Sequence, residues 1–107
     1  MVIFETSAFT KAIDGLLDDH EYAALQETLA GNPDAGDRIP GTGGLRKLRW
    51  AVPGRGKRGG MRVIYYWIVS KDQIFMLLAY PKNRQDDLTA AQKRVLTALV
   101  KKELQDG

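Results

Sequence analysis

The chain has 107 residues, an apolar content of 44% and a net charge of +3, which is typical of a single globular domain with its own core. It contains no cysteine, and this excludes disulfides, thiolate metal sites and a thiol nucleophile. The longest apolar run, Ile74–Tyr80, is too short to span a bilayer. The acidic first twenty residues are unlike a secretory signal. We therefore expect one domain over residues 1–107 and a cytoplasmic location.

The N-terminal third of the chain predicts a strand followed by two helices. The β-branched start "MVIFE" is typical of a short strand. From Ser7 the apolar residues follow helical spacing. A second helix can be capped by Asp18 or Asp19, and it is expected to end at Gly31 and Pro33. The segment "NPDAGDRIPGTGG" that follows has the composition of a loop.

The middle of the chain predicts three strands. In "LRKLRWAV" the alternation of a strand places Lys47 and Arg49 on one face, and Leu48 and Trp50 on the other. The basic loop "PGRGKRGG" then leads to two apolar runs, "MRVIYYWIV" and "IFMLLAY". Such continuous runs are expected of strands covered on both faces. The segment "SKDQ" between them has the length of a hairpin connection.

A last helix is predicted by a T-x-x-Q capping box made of Thr89 and Gln92. Apolar residues at helical spacing follow it. The resulting order, β-α-α-β-β-β-α, predicts an α+β domain. We expect a small, mostly antiparallel sheet of three or four strands, an N-terminal helical hairpin and a C-terminal helix.

The charge is segregated along the chain. Residues 1–37 carry eight acids and one base, residues 38–71 carry nine bases and no acid, and residues 72–107 carry six bases and five acids. A basic loop between strands commonly does no more than solvate a turn and protect a sheet edge. Here, however, the cations continue into the predicted strands at Lys47, Arg49 and Arg62, and nearby glycines let backbone amides approach a phosphate. Polyanion binding is therefore the favoured interpretation.

RNA is the expected polyanion. No helix-turn-helix is recognisable, and no predicted helix is basic enough on one face to fill a major groove. Aromatic residues beside the cations suit stacking on unpaired bases, although we expect at least three of the five to pack in the core. These five are Trp50, Tyr65, Tyr66, Trp67 and Tyr80.

Familiar catalytic groups are absent from the sequence pattern. The single histidine, His20, lies in the acidic third, and no paired carboxylates, metal-ligand cluster or P-loop is found. No metal or cofactor is therefore expected. RNA cleavage needs less, because the RNA supplies its own 2′-hydroxyl nucleophile. Arginines can hold phosphate oxygens and stabilise the charge that develops on them, and lysines crowded by cations can exchange protons.

Three ordered motifs, "GTGGLRKLRWA", "GRGKRGGMRVIYY" and "YPKNRQDDLTAAQ", resemble the RelE/HigB superfamily of bacterial toxins, and most closely its HigB branch. The resemblance covers nearly the whole chain. It implies a compact α+β toxin that enters the ribosomal A site and cleaves mRNA there, and a cognate antitoxin, typically a helix-turn-helix protein of the HigA kind. The superfamily also contains ParE toxins that act on DNA gyrase. A non-catalytic toxin of that type and a plain RNA-binding module therefore stay open as alternatives.

The resemblance also implies the site residues. Lys47 and Arg49 match two cationic positions on the open sheet face, Arg62 matches the arginine that holds the scissile phosphate, and Lys82 matches a cation near the leaving group. Further residues are expected to contact RNA, namely Arg46, Arg55, Lys57, Arg58 and Asn83. Where several relatives have a C-terminal tyrosine suited to proton transfer, this chain has Leu88 and Thr89. The resemblance therefore identifies no general base.

Overall fold

The computed structural model describes residues 1–52 and 60–106. The strands in this part of the chain are β1 (Val2–Glu5), β2 (Asp37–Arg38), β3 (Arg46–Ala51), β4 (Gly60–Ile68) and β5 (Gln73–Pro81). The helices are α1 (Ser7–Leu16), α2 (Asp19–Gly31) and α3 (Ala90–Asp106). The α+β class expected from the sequence is confirmed. None of the helices described is long and apolar enough to cross a membrane.

The described strands form one mixed sheet in the order β1-β5-β4-β3-β2. β1 runs parallel to β5, and every other neighbouring pair is antiparallel. The expectation of three or four strands was wrong, because the segment 37–38 of the predicted loop adds a fifth strand. This strand pairs Asp37 with Lys47 and Arg38 with Arg46. It is only two residues long, so it carries no apolar alternation that a sequence pattern can reveal.

Side-chain caps fix the starts of the helices. Of the two candidate caps of α2, Asp18 is the one used, and it forms a capping box with Glu21. The box predicted for α3 is confirmed, because the Thr89 amide donates to Gln92 Oε1 at 2.9 Å and the Gln92 amide donates to Thr89 Oγ1 at 3.1 Å. Such caps contribute about 1 kcal/mol each. The hairpin arrangement expected of α1 and α2 is not confirmed; α1 packs against β5.

The sheet separates two apolar clusters, which explains the continuous apolar runs of β4 and β5. One cluster joins α1 and α2 to one face of the sheet and includes Phe9, Leu25 and Val63. The other joins α3 to the opposite face and includes Ile64 and Leu96. The face of the sheet that packs against α3 is called the α3 face below.

Buried Tyr65 fixes the segment that leads into β2. Its hydroxyl donates to the carbonyl of Pro33 at 2.7 Å and accepts from the amide of Gly36 at 2.8 Å. A Cβ atom at Gly36 would lie 2.9 Å from the Tyr65 ring, so only glycine lets the backbone come this close. Because Asp37 is the next residue, this contact determines where the edge of the sheet places its first carboxylate.

Candidate active site

Strand register gathers the four cations that the sequence indicated. Arg49 lies directly opposite Arg62, and Arg62 lies directly opposite Tyr80. Lys47 lies opposite Ile64, a member of the apolar cluster under α3. Because residues two apart on a strand share a face, Lys47, Arg49 and Arg62 all lie on the α3 face, as the alternation in the sequence predicted for the first two.

Lys82 follows the end of β5, and its side chain lies over Gly60. The Lys82 amide donates to the Gly60 carbonyl at 3.2 Å. A Cβ atom at Gly60 would lie 2.7 Å from Lys82 Cδ and 3.3 Å from its Nζ. Gly60 stands two residues before Arg62, so its missing side chain leaves the space that Lys82 occupies on the α3 face.

Lys47 is the most enclosed of the four cations, with 8% of its surface exposed. Its ammonium donates to Asp87 Oδ1 at 2.5 Å and to the Asp86 carbonyl at 3.4 Å. The hydrogen bond from Lys47 holds the pKa of the Asp87 carboxyl below its usual range. Asp87 is therefore an anion at neutral pH, and it compensates the charge of the buried lysine.

Arg62 is held by the neighbouring carboxylate of Asp86. Its Nε group donates to Asp86 Oδ1 at 3.0 Å, and its NH2 nitrogen lies 2.9 Å from the same oxygen in an ion pair. The Arg62 side chain is only 14% exposed, whereas that of Asp86 is 60% exposed. The guanidinium is thus fixed by the sheet, with two of its donors directed at an anion on the solvent side. A phosphate oxygen can accept the same two donors.

Arg49 is also paired with a carboxylate, but this pair is more exposed than the other two. Its NH1 group donates to Asp37 Oδ2 at 3.2 Å, and both side chains are largely exposed. Three of the four candidate catalytic cations therefore have a carboxylate partner. Sequence reasoning missed these partners because it concentrated on the acid-free stretch 38–71. Asp37 lies just before that stretch, and Asp86 and Asp87 were present in the motif "YPKNRQDDLTAAQ".

Tyr80, which the sequence indicated only as one of five aromatic residues for base stacking or core packing, also lies beside the candidate catalytic cations. It is buried beside Arg62, and its hydroxyl donates to the Asp86 carbonyl at 3.2 Å. Burial is the main reason that the pKa of Tyr80 is raised, and the charge of Asp87 adds to this effect. The phenol therefore stays protonated at neutral pH and can donate a hydrogen bond or a proton.

The residues expected to contact RNA are placed less uniformly. Arg46 lies on the face opposite Lys47, where its NH1 group donates to the Gly36 carbonyl at 2.8 Å. Asn83 is exposed in the turn after β5. The remaining three lie outside the described residues, namely Arg55, Lys57 and Arg58.

The five aromatic residues considered for base stacking all contribute to packing. Tyr65 and Tyr80 are buried, and the other three are partly buried against the two apolar clusters. None of the five is exposed. Leu88, which stands near the C-terminal position where relatives have a tyrosine, is buried under α3, and Thr89 caps that helix.

A groove of about 380 Å³ opens between β2, β3 and the start of α3. Its lining combines cations with two of the carboxylates described above, and consists of Asp37, Arg38, Ile39, Pro40, Lys47, Arg49, Asp87, Leu88 and Lys93. Within residues 1–52 and 60–106, no group of histidine or acidic side chains is arranged to hold a metal ion. The face as described can bind an anion and stabilise added negative charge.

Two comparisons place these features among known proteins. A family model described as the RelE toxin of the RelE/RelB toxin–antitoxin system matches residues 1–106. Among solved structures, the chain is similar to a double arginine-to-alanine mutant of the E. coli toxin RelE in the free state. That likeness has a TM-score of 0.53 and 15% sequence identity, and it covers 79% of this chain and 86% of the other. At this identity the solved structure supports the fold alone.

Proposed function

The chain belongs to the RelE toxin family of toxin–antitoxin systems, and we propose that it is an mRNA interferase, a ribosome-dependent endoribonuclease that cleaves mRNA in the A site and so inhibits translation. The observation that carries this proposal is the row Arg49–Arg62–Tyr80 across three strands of the α3 face. Lys47 and Lys82 flank this row. Side chains held by a sheet can present charge in the fixed geometry that transition-state stabilisation requires.

The proposed reaction uses the nucleophile of the substrate. The 2′ hydroxyl of the RNA gives its proton to a solvent water, and its oxygen bonds to the adjacent phosphorus while the bond from phosphorus to the 5′ oxygen breaks. Arg62 holds the phosphate oxygens with the donors that Asp86 now occupies, and it stabilises the charge added in the transition state. Lys82, which lies beyond Tyr80 on the same face, gives a proton to the departing 5′ oxygen.

The proposed partner is a cognate antitoxin, because the family is defined by toxin–antitoxin pairs. We further propose that the chain belongs to the HigB branch, on the strength of the three sequence motifs, and that its antitoxin is a HigA-like helix-turn-helix protein. Co-purification of the chain with the product of a neighbouring gene, followed by sequencing of that product, tests both points. A partner without a helix-turn-helix domain would contradict the branch assignment.

Primer extension on cellular mRNA after expression of the chain tests the activity. We expect growth arrest and cuts within reading frames, and we expect purified mRNA to stay intact until ribosomes are added. Arg62→Ala is the matched inactive variant. Intact mRNA together with DNA damage would indicate action on gyrase. Ribosome binding with neither cuts nor DNA damage would indicate a plain RNA-binding module. Either result would overturn the proposed nuclease activity.

A further inference from the structure

The helix α3 presents two unlike flanks to solvent, on either side of buried Leu96 and Val100. Helical spacing places Lys93, Arg94 and Lys101 on one flank. This flank carries no acid. The other flank carries the exposed apolar side chains of Val95 and Leu99, together with Lys102 and Glu103. The basic flank belongs to neither apolar cluster, and only its Lys93 also lines the 380 Å³ groove described above.

The basic flank forms one wall of a groove of about 290 Å³, which we call the α3 groove. It is lined by Gly41, Lys93, Arg94, Thr97, Ala98 and Lys101. Its residues other than the cations are small, so its lining offers no large apolar side chain against which a protein partner could pack. That composition suits the phosphate backbone of a nucleic acid better than a protein partner, because protein interfaces depend on buried aromatic or aliphatic anchor residues.

The loop opposite α3 is held in place by buried Thr42. Its hydroxyl donates to the Ile39 carbonyl at 2.6 Å and accepts from the Leu45 amide at 3.2 Å. Thr97 of α3 donates to the Thr42 carbonyl at 3.5 Å and so ties the helix to the loop. The left-handed backbone of Gly41, with φ of 75°, lets this loop turn at the rim of the groove. The groove is therefore formed before any ligand binds.

Lys93 connects the α3 groove to the candidate active site. It lines this groove and also the groove that contains Lys47 and Arg49. The cations differ in one respect: Lys47, Arg49 and Arg62 on the sheet are each paired with a carboxylate, whereas Lys93, Arg94 and Lys101 form no ion pair within the described part of the chain. The charge of Lys93 acts on the Asp87 carboxylate and helps to lower its pKa, so the positive charge that the α3 groove adds without a carboxylate partner is that of Arg94 and Lys101.

We propose that the α3 groove binds the sugar–phosphate backbone of RNA and extends the RNA-binding surface from the candidate active site across α3. This inference rests on the proposed function in one respect, since both take RNA as the ligand. The contact is with phosphates, so it contributes affinity and orientation without base preference. The two distal cations, Arg94 and Lys101, lie outside the groove of the candidate active site and can be tested separately from it.

The test compares Arg94→Gln/Lys101→Gln with a control that loses the same charge elsewhere, Lys11→Gln/Lys102→Gln. Binding to a single-stranded RNA oligonucleotide and to ribosomes without mRNA is measured over a range of salt concentrations. For single strands each phosphate contact contributes about −0.7 to the slope of log K against log salt. Losing two contacts should make the slope shallower by about 1.4 and weaken binding about 25-fold at 0.1 M salt.

The control should bind within about threefold of the unaltered chain at that salt, in line with the small effects of surface charges away from a binding site. Equal losses in both variants, or no loss in the α3 variant, would overturn the proposal. Thermal unfolding of each variant verifies the fold, and Arg94→Gln alone replaces the double variant if Lys101→Gln proves unstable. If the unaltered chain fails to cut mRNA on ribosomes while the two variants still differ in RNA binding, the nuclease proposal fails and the groove proposal stands.

Discussion

Asp86 occupies the position where the proposed function requires a phosphate, and Asp86→Asn tests that arrangement directly. In the free chain Nε of Arg62 donates to one oxygen of this carboxylate, and NH2 is ion-paired with the same oxygen. RNA has to displace the carboxylate before a phosphate can use the same donors. Asparagine keeps the size of the side chain and one acceptor oxygen but removes the charge. The substitution should therefore make displacement easier.

The magnitude follows from the exposure of the pair. The Asp86 side chain is 60% exposed, and ion pairs with a largely exposed partner contribute about 0.2–1 kcal/mol. RNA binding should therefore strengthen by at most about 1 kcal/mol, which is about fivefold. The free energy of unfolding should fall by no more than the same amount. The loop should stay in place, because the Asp86 carbonyl still accepts from Tyr80 at 3.2 Å and from Lys47 at 3.4 Å.

The assay pairs oligonucleotide binding at low and high salt with single-turnover cleavage on programmed ribosomes. Asp14→Asn, an exposed acid on α1, is the control for the change in net charge. We expect Asp86→Asn to bind more tightly than this control at low salt, with the difference shrinking as salt screens the pair, and to keep its cleavage rate within a few-fold. A hundredfold loss of cleavage with binding retained would show that Asp86 takes part in proton transfer. Asp86 would then do more than occupy the position of the phosphate in the free chain.

The remaining predictions use the same assays and thermal unfolding. Arg62→Ala should lower single-turnover cleavage by about a hundredfold or more with ribosome affinity nearly unchanged, and a normal cleavage rate would refute this placement of the active site. Gly60→Ala should lower the cleavage rate as much as Lys82→Ala does, because the new methyl group would displace the Lys82 side chain. The double variant should then cleave no more slowly than either single variant. Tyr65→Phe should lower the free energy of unfolding by about 2–4 kcal/mol, because the Gly36 amide and the Pro33 carbonyl both lose their hydrogen-bond partner. An unchanged Tm would contradict this prediction.

Local and periodic features of the fold were predictable from sequence. The capping box of Thr89 and Gln92 lies within four residues, and its geometry follows from the start of a helix. The shared face of Lys47 and Arg49 follows from the two-residue period of a strand. Each of these predictions needed only one element to form as expected.

Features that depend on distant pairing were not predictable. The strand β2 exists because its two residues pair with β3 and because the Tyr65 hydroxyl holds the preceding segment. The carboxylate of Asp86 meets a guanidinium 24 residues away in sequence. Neither contact leaves a periodic signal in the sequence. The count of charges therefore indicated an uncompensated basic stretch over residues 38–71, whereas in the folded chain three of its cations are paired with carboxylates.

This unequal compensation explains how the proposed nuclease can recognise its substrate without binding every polyanion at its reactive face. Three of the four cations that the proposed chemistry uses, Lys47, Arg49 and Arg62, are covered by carboxylates in the free chain, and the pair at Arg62 must exchange for a phosphate. The cations of the α3 groove have no such partners and can attract RNA over the range of a Debye length, about 8–10 Å at physiological salt. The two proposals together predict binding in two steps, a salt-sensitive encounter along α3 and a local exchange at Arg62. The first step depends on ionic strength far more than the second, so high salt should slow association with ribosomes while leaving the cleavage rate of the bound complex nearly unchanged.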